Sequence, residues 1–204
     1  MRKATIVGLM ALAGYGAGGG QGAETARYHV TVYLKDQQIA NPLLLLRAKA
    51  LATSMFAGIG VRLRWELSVP RPARGRQALT DAKIVLRFAS GAPADFHPGA
   101  MAYSRPYAPQ SDVRVTILYD RVLGAVQGDF DPAVARLGHV LAHEITHVLQ
   151  GVVRHSETGL MKAHWTPDDR AQMSEAPLPF TPHDAELIKD AMAPGNYAAE
   201  IAVR

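Results

Sequence analysis

The sequence predicts an α/β (α+β) domain in which a mixed, twisted sheet packs on one long helix, with a further helix near the C-terminus. Three observations carry this expectation. Short β-branched runs alternate with helical patterns in the order β-α-β-β-(β)-β-α-irregular-α. Two helices open on a capping side chain followed by proline, at Asn41-Pro42 and Asp131-Pro132. The chain is 204 residues long and 48% hydrophobic, enough for one core, and it shows neither an internal repeat nor an interdomain linker.

The elements follow in order. Met1-Arg2-Lys3 is basic, Ala4 to Ala13 is apolar but too short to span a bilayer, and small residues allow cleavage after Ala17 or Ala23. Residues 1–23 therefore read as a signal peptide and 24–204 as a single domain, secreted or periplasmic, with no membrane span in the mature chain. The chain has no cysteine, which rules out disulfides and lipid attachment through a thiol, and leans toward a bacterial envelope. Tyr28 to Leu34 alternates as a strand, and Leu43 to Phe56 is a strongly apolar helix closed near Gly58. In the strand from Val61 to Leu67, Val61, Leu63, Trp65 and Leu67 share one face, with Arg62, Arg64 and Glu66 on the other.

A loop covers Pro70 to Gly75. The strand from Lys83 to Phe88 has a continuous apolar run that places it inside the sheet. Ser90 to Ser111 is too long for an idle connection, and Val113 to Tyr119 is a strand. A long helix is predicted from about 132 to 150, with Gly151 free to take a left-handed stop. After an irregular stretch, Thr166-Pro167 opens a short turn, and Thr181-Pro182-His183-Asp184 opens a last helix to about Ala193, its aspartate set for a capping box.

Charge excludes little and favours no polyanion. The formal net charge is +4, or +2 once Arg2 and Lys3 are removed. Arg62, Arg64, Arg71, Arg74, Arg76, Lys83 and Arg87 gather in one stretch, without the interleaved aromatics of a nucleic-acid surface. They read as solvated strand faces and a basic loop, so no nucleic-acid partner is expected.

The chemistry lies in His143-Glu144-Ile145-Thr146-His147, in the last third of the long helix. Histidines four apart present imidazoles from consecutive turns of one face, close enough to share a small cation. The glutamate beside the first is placed to take a proton from water on that cation, the H-E-x-x-H arrangement of zinc peptidases. Zn2+ is the expected cofactor. His143 and His147 are its first two ligands and Glu144 its general base.

A catalytic zinc needs a third protein ligand and an open position. Beyond His147 the chain supplies a helix-ending glycine, Gly151, a third histidine followed by serine, His155-Ser156, and then Met161. This succession resembles the metzincin clan of zinc metallopeptidases, with its H-E-x-x-H-x-x-G-x-x-H motif and methionine turn. The resemblance covers most of the mature chain through the order of its elements, while only the motif is specific. It implies a zincin-like fold, His155 as third ligand and Met161 as the turn residue. Two departures lengthen the connection: Gly151 lies four residues after His147 rather than three, and His155 eight rather than six. No proline follows Met161 by two.

Other third ligands stay open. His164 lies past the methionine, and Asp168 and Asp169 stand where other zincins place a carboxylate, although their position after Thr166-Pro167 also suits helix capping. Glu157 is sterically awkward beside His155. His139, one turn before His143, could orient a ligand or be hydrogen-bonded elsewhere. Tyr103 and Tyr107 are candidates for an oxyanion donor or ordinary surface tyrosines.

These residues lead to a secreted zinc-dependent metalloendopeptidase, a monomer acting on a peptide or protein substrate by Glu-assisted attack of zinc-bound water. An extended substrate would pair along the strand from Val113 to Tyr119 as the edge of the sheet, and the pocket that reads the residue after the cleaved bond would be walled by Gly159 to Met173. The alternative is a secreted, zinc-stabilised binding module without catalysis, its metal closed by both His155 and His164. A chain with no metal is the third possibility.

Overall fold

The computed structural model describes residues 28–35, 41–67, 82–91, 99–109, 112–124, 126 and 129–193. The signal peptide expected at 1–23, the loop expected from Pro70 to Gly75, and Arg71, Arg74 and Arg76 lie outside them.

Strands β1 (Tyr28–Lys35), β2 (Val61–Glu66), β3 (Ala82–Ala89), β4 (Ala102–Ser104) and β5 (Val113–Leu118) form one sheet in the order β2-β1-β3-β5-β4. β1 runs parallel to β2 and β3, β3 runs parallel to β5, and β4 alone is antiparallel. The sheet is therefore mixed, and β3 lies inside it. The parallel pair β1 and β2 is joined by α1 (Pro42–Ala57), because a parallel connection has to cross over the sheet.

Alternation sorts the side chains. Val30, Val32 and Leu34 of β1, Leu63 of β2, Ile84, Leu86 and Phe88 of β3, and Val115 and Ile117 of β5 enter one core with α1 and the long helix α3 (Phe130–Gln150). On the opposite face Arg62, Arg64, Lys83 and Arg87 are exposed, as solvated strand faces should be.

Local chemistry sets the helix ends. The Asn41 side chain caps α1 by accepting from the Leu44 amide at 3.1 Å. α3 starts two residues before Pro132, with Asp129 rather than Asp131 at the N-cap position and no side-chain capping bond from it. Phe130 packs against the core, under the Arg47 guanidinium at 5.3 Å. Pro132 is only the third helical residue, and the first four amides of a helix have no intrahelical partner to lose. Asp131 instead faces Arg47 across an exposed 3.5 Å ion pair.

From Leu137 to Gln150 every residue of α3 is buried. Gly138 lets α1 come close, since a Cβ there would lie 2.6 Å from Leu51 Cδ2. No helix among the described residues is long and apolar enough to cross a membrane.

Three further expectations need correction. The strand from Val113 is not the edge of the sheet: β5 has β3 on one side and the three-residue β4 on the other, and β4 forms the edge. Tyr119 belongs to a short helix, α2 (Tyr119–Gly124), because the neighbouring strand ends at Ala89, opposite Leu118. Leu67 falls beyond β2 and is exposed, so it does not join the Val61 and Leu63 face. The remaining elements are α4 (Pro167–Glu175) and α5 (Pro182–Ala191), both opened by a threonine–aspartate capping box.

Candidate metal centre

α3 delivers His143 and His147 from consecutive turns, and Gly151 ends it in the left-handed region at φ 65°. The chain then doubles back, bringing His155 against both. The ring centroid of His155 lies 5.4 Å from that of His143 and 5.0 Å from that of His147. One ligand nitrogen of each histidine lies within 4.8 Å of the other two. His143 and His147 are buried, while His155 is exposed, so the group opens to solvent on that side.

Hydrogen bonds set the tautomers. His143 Nδ1 lies 3.0 Å from the Leu160 carbonyl, and His147 Nδ1 lies 3.3 Å from the Val152 carbonyl. A carbonyl only accepts, so both Nδ1 atoms carry the proton and both Nε2 atoms carry a lone pair. Those two Nε2 atoms stand 3.1 Å apart. Neither has a proton to donate, so the pair is suited to a shared cation. A tetrahedral zinc with bonds of about 2.0–2.1 Å sets its nitrogens about 3.3–3.4 Å apart. The motif pair stands close to that spacing, the His155 nitrogen lies within 4.8 Å of both, and carbonyl partners stand behind the two motif rings, as they usually do behind metal-binding histidines.

Burial keeps the imidazoles neutral. It pushes the His143 pKa down to about 3, assisted by neighbouring His147, and the His147 pKa down to about 4, assisted by His155. His155 is lowered as well, by burial first and then by His164 and Arg154. Burial acts oppositely on Glu144, whose carboxyl is raised to about 7 against a hydrogen bond from Ser104 that favours ionisation. Ser104 sits on the edge strand, opposite Val115, on the face that meets α3.

The turn after His155 is held by its own backbone and by a segment from farther along the chain. The Ser156 amide donates to the Met161 carbonyl at 2.8 Å, and the Leu160 amide to the Pro179 carbonyl at 2.8 Å. Leu160 and Met161 are fully buried. The Leu160 carbonyl also accepts from Trp165 Nε1 at 3.1 Å, and the Trp165 ring stands edge-on to His143 with centroids 5.6 Å apart. Gly159 takes φ +72°, and a Cβ there would lie 2.4 Å from the Pro179 oxygen, so only glycine fits.

The other candidates lie elsewhere. His139 is fully buried, with Nδ1 2.6 Å from the Ala135 carbonyl and Nε2 accepting from the Leu178 amide at 2.9 Å. Both its nitrogens are occupied. His164, Asp168 and Glu157 are exposed and stand outside the three-histidine group. Asp169 caps α4 and pairs with Lys162. Tyr103 points to the face away from Glu144, where Thr116 and then Arg87 hold its pKa below the usual value against burial. Tyr107 is exposed.

A cavity of ≈ 390 Å³ is lined by Gly159, Lys162, Asp169 and Gln172 on one wall and by 178–182 on the other; none of the three histidines lines it. Sequence reasoning missed Ser104 and Trp165, whose contacts are long-range. It also missed the bonds that Asp184 makes to Arg154 and Ser156, since only its capping-box spacing was visible.

No protein-family model matches the chain, nor does any curated protein. Among solved structures the chain is similar to the crystal structure of an archaemetzincin from Methanopyrus kandleri, at 16% sequence identity and a TM-score of 0.48, over 83% of this chain and 96% of that one.

Proposed function

We propose that the chain is a zinc-dependent metalloendopeptidase, exported through the leader at 1–23, with His143, His147 and His155 as ligands and Glu144 as general base. The observation that carries this reading is the 3.1 Å pair of unprotonated Nε2 atoms, fixed by the Leu160 and Val152 carbonyls and faced by a third imidazole. When bound, zinc would polarise the scissile carbonyl and lower the pKa of its water toward ~7.

The chain's own residues do the rest. The Glu144 carboxylate accepts a proton from the attacking water and passes it to the departing amine nitrogen as the C–N bond breaks. A carboxyl near pH 7 in its protonation equilibrium can both take and return that proton. The Ser104 hydroxyl orients it. An extended substrate adds a strand along β4, the sheet edge that carries Ser104, rather than along β5. Met161 is assigned as the turn residue, following directly on the carbonyl that holds His143.

A zinc-stabilised binding module would need a fourth protein ligand to close the site. The exposure of His164 and Asp168 outside the histidine group speaks for an open position instead. The test is Glu144→Gln with zinc stoichiometry and a broad peptide-cleavage screen. Zinc should remain at about one per chain while cleavage falls by about 10²–10⁴. Undiminished proteolysis by Glu144→Gln would overturn the assignment. In parallel, His155→Ala should bind zinc much more weakly and His164→Ala should keep it.

A further inference from the structure

Both chain neighbours of His155 are tied to one carboxylate on another helix. Arg154 Nη1 and Ser156 Oγ each donate to Asp184 Oδ1 at 2.8 Å. The other oxygen, Oδ2, accepts from Thr181 Oγ1 at 2.6 Å and from the Thr181 amide at 3.2 Å, completing the cap of α5. The Asp184 backbone carbonyl accepts from Gln150 Nε2, at the last residue of α3, at 3.1 Å. Asp184 is wholly buried, whereas His155, whose neighbours it holds, is exposed and lies in neither a helix nor a strand. A capping box needs only Oδ2. Oδ1 is committed to the loop.

We propose that Asp184 is the positioning residue of the third ligand: it fixes the backbone on either side of His155 so that the imidazole meets His143 and His147. This rests on the assignment of His155 as a ligand. It also accounts for how a connection two residues longer than the metzincin spacing still delivers its histidine. Bonded charged partners in a buried setting are strong and directional. Residues supporting metal ligands through hydrogen bonds typically change metal affinity about 10–100-fold when altered.

The experiment measures zinc affinity of the full chain by chelator competition, together with the absorption spectrum of the cobalt-loaded protein, which reads coordination geometry. Asp184→Asn should weaken zinc binding about 10–100-fold and change the cobalt spectrum. Thr181→Ala removes the cap but leaves Oδ1 with Arg154 and Ser156, and should lower thermal stability with zinc affinity nearly unchanged. Ser156→Ala leaves Asp184 itself in place and should weaken zinc in the same direction as Asp184→Asn, which covers the case of an Asp184→Asn chain that fails to fold.

A double-mutant cycle separates position from mere stability. In a His155→Ala background Asp184→Asn should cost zinc affinity nothing further. Full additivity of the two, or unaltered zinc affinity and cobalt spectrum in folded Asp184→Asn or Ser156→Ala, overturns the proposal. If His155→Ala itself leaves zinc affinity unchanged, the ligand assignment fails first and this proposal with it.

Discussion

Gly159→Ala is the sharpest test of how the turn supports the centre. Two costs arise at this residue. At φ +72° a Cβ meets its own backbone, worth about 1–2 kcal/mol in the left-handed region. The same Cβ would sit 2.4 Å from the Pro179 oxygen, which already accepts from the Leu160 amide, so backbone must move on one side or the other. Such overpacking costs about 1–3 kcal/mol. Together they predict a loss of about 2–5 kcal/mol, or about 4–20 °C in Tm for a chain of this size.

Gly60→Ala serves as the control, because Gly60 has φ +80° and a methyl group there would meet nothing within 4 Å. It carries only the backbone cost. Urea and thermal unfolding of both variants therefore isolate the Pro179 contact as their difference. Gly159→Ala should also weaken zinc about 10-fold or more, since a shifted Leu160 carbonyl loosens His143, while Gly60→Ala leaves zinc affinity alone. Equal destabilisation by the two substitutions, with zinc affinity intact in both, would refute the packing described for this turn.

Further outcomes follow from the same geometry. Zinc at about 100 times its Kd should stabilise the chain by about 2.7 kcal/mol, an effect reversed by chelator and absent in His143→Ala. His139→Leu leaves the buried Leu178 amide without its acceptor and should cost about 1–3 kcal/mol in urea unfolding. Burial lowers the His139 pKa below 6.5, so the unfolded chain takes up this proton first as pH falls. The stability His139 contributes is thus complete above 6.5 and is lost as pH drops toward its folded pKa. Unfolding of metal-free protein across pH 7 to 5 should show a shallower decline in His139→Leu than in the parent, by at most about 1.4 kcal/mol per pH unit. Identical slopes would mean that His139 is not shielded.

What the sequence disclosed was local. Asn41-Pro42, Thr166-Pro167 and Thr181-Pro182 marked helix starts because capping is settled within three residues. The interior place of β3 followed from its unbroken apolar run. The two motif histidines could be set on one helical face from their spacing alone. β4 could be entered only as a bracketed strand without bounds, since three residues carry no periodicity, and the edge of a sheet is a fact about partners rather than about a strand. For that reason β5, the stronger strand pattern, drew the edge assignment that belongs to Ala102–Ser104. The start of α3 was misplaced for a similar reason: Phe130 joins the helix through its packing against the core beside Arg47 of α1, which outweighs the cap-then-proline signal at Asp131-Pro132.

The segment from Leu178 to Asp184 explains why a histidine group with an unusual connection can still be firm. It touches the centre at three levels. The Leu178 amide engages His139, one turn before His143 on the same helix; the Pro179 carbonyl engages the turn at Leu160, whose own carbonyl holds His143; and Asp184 engages the residues on both sides of His155. α3 sets two imidazoles on one face, because their spacing is intrinsic to a helix. The third depends on bonds to residues some thirty positions away, none with a local signature. This division explains why the pairing of His143 and His147 could be read from five letters of sequence, whereas it takes the fold to show that His155, among the candidates beyond Gly151, comes within 4.8 Å of them. It also sets the order of vulnerability: changes at Asp184 should release His155 before they disturb the pair on α3, whereas changes at Pro179 reach His143 through the Leu160 carbonyl.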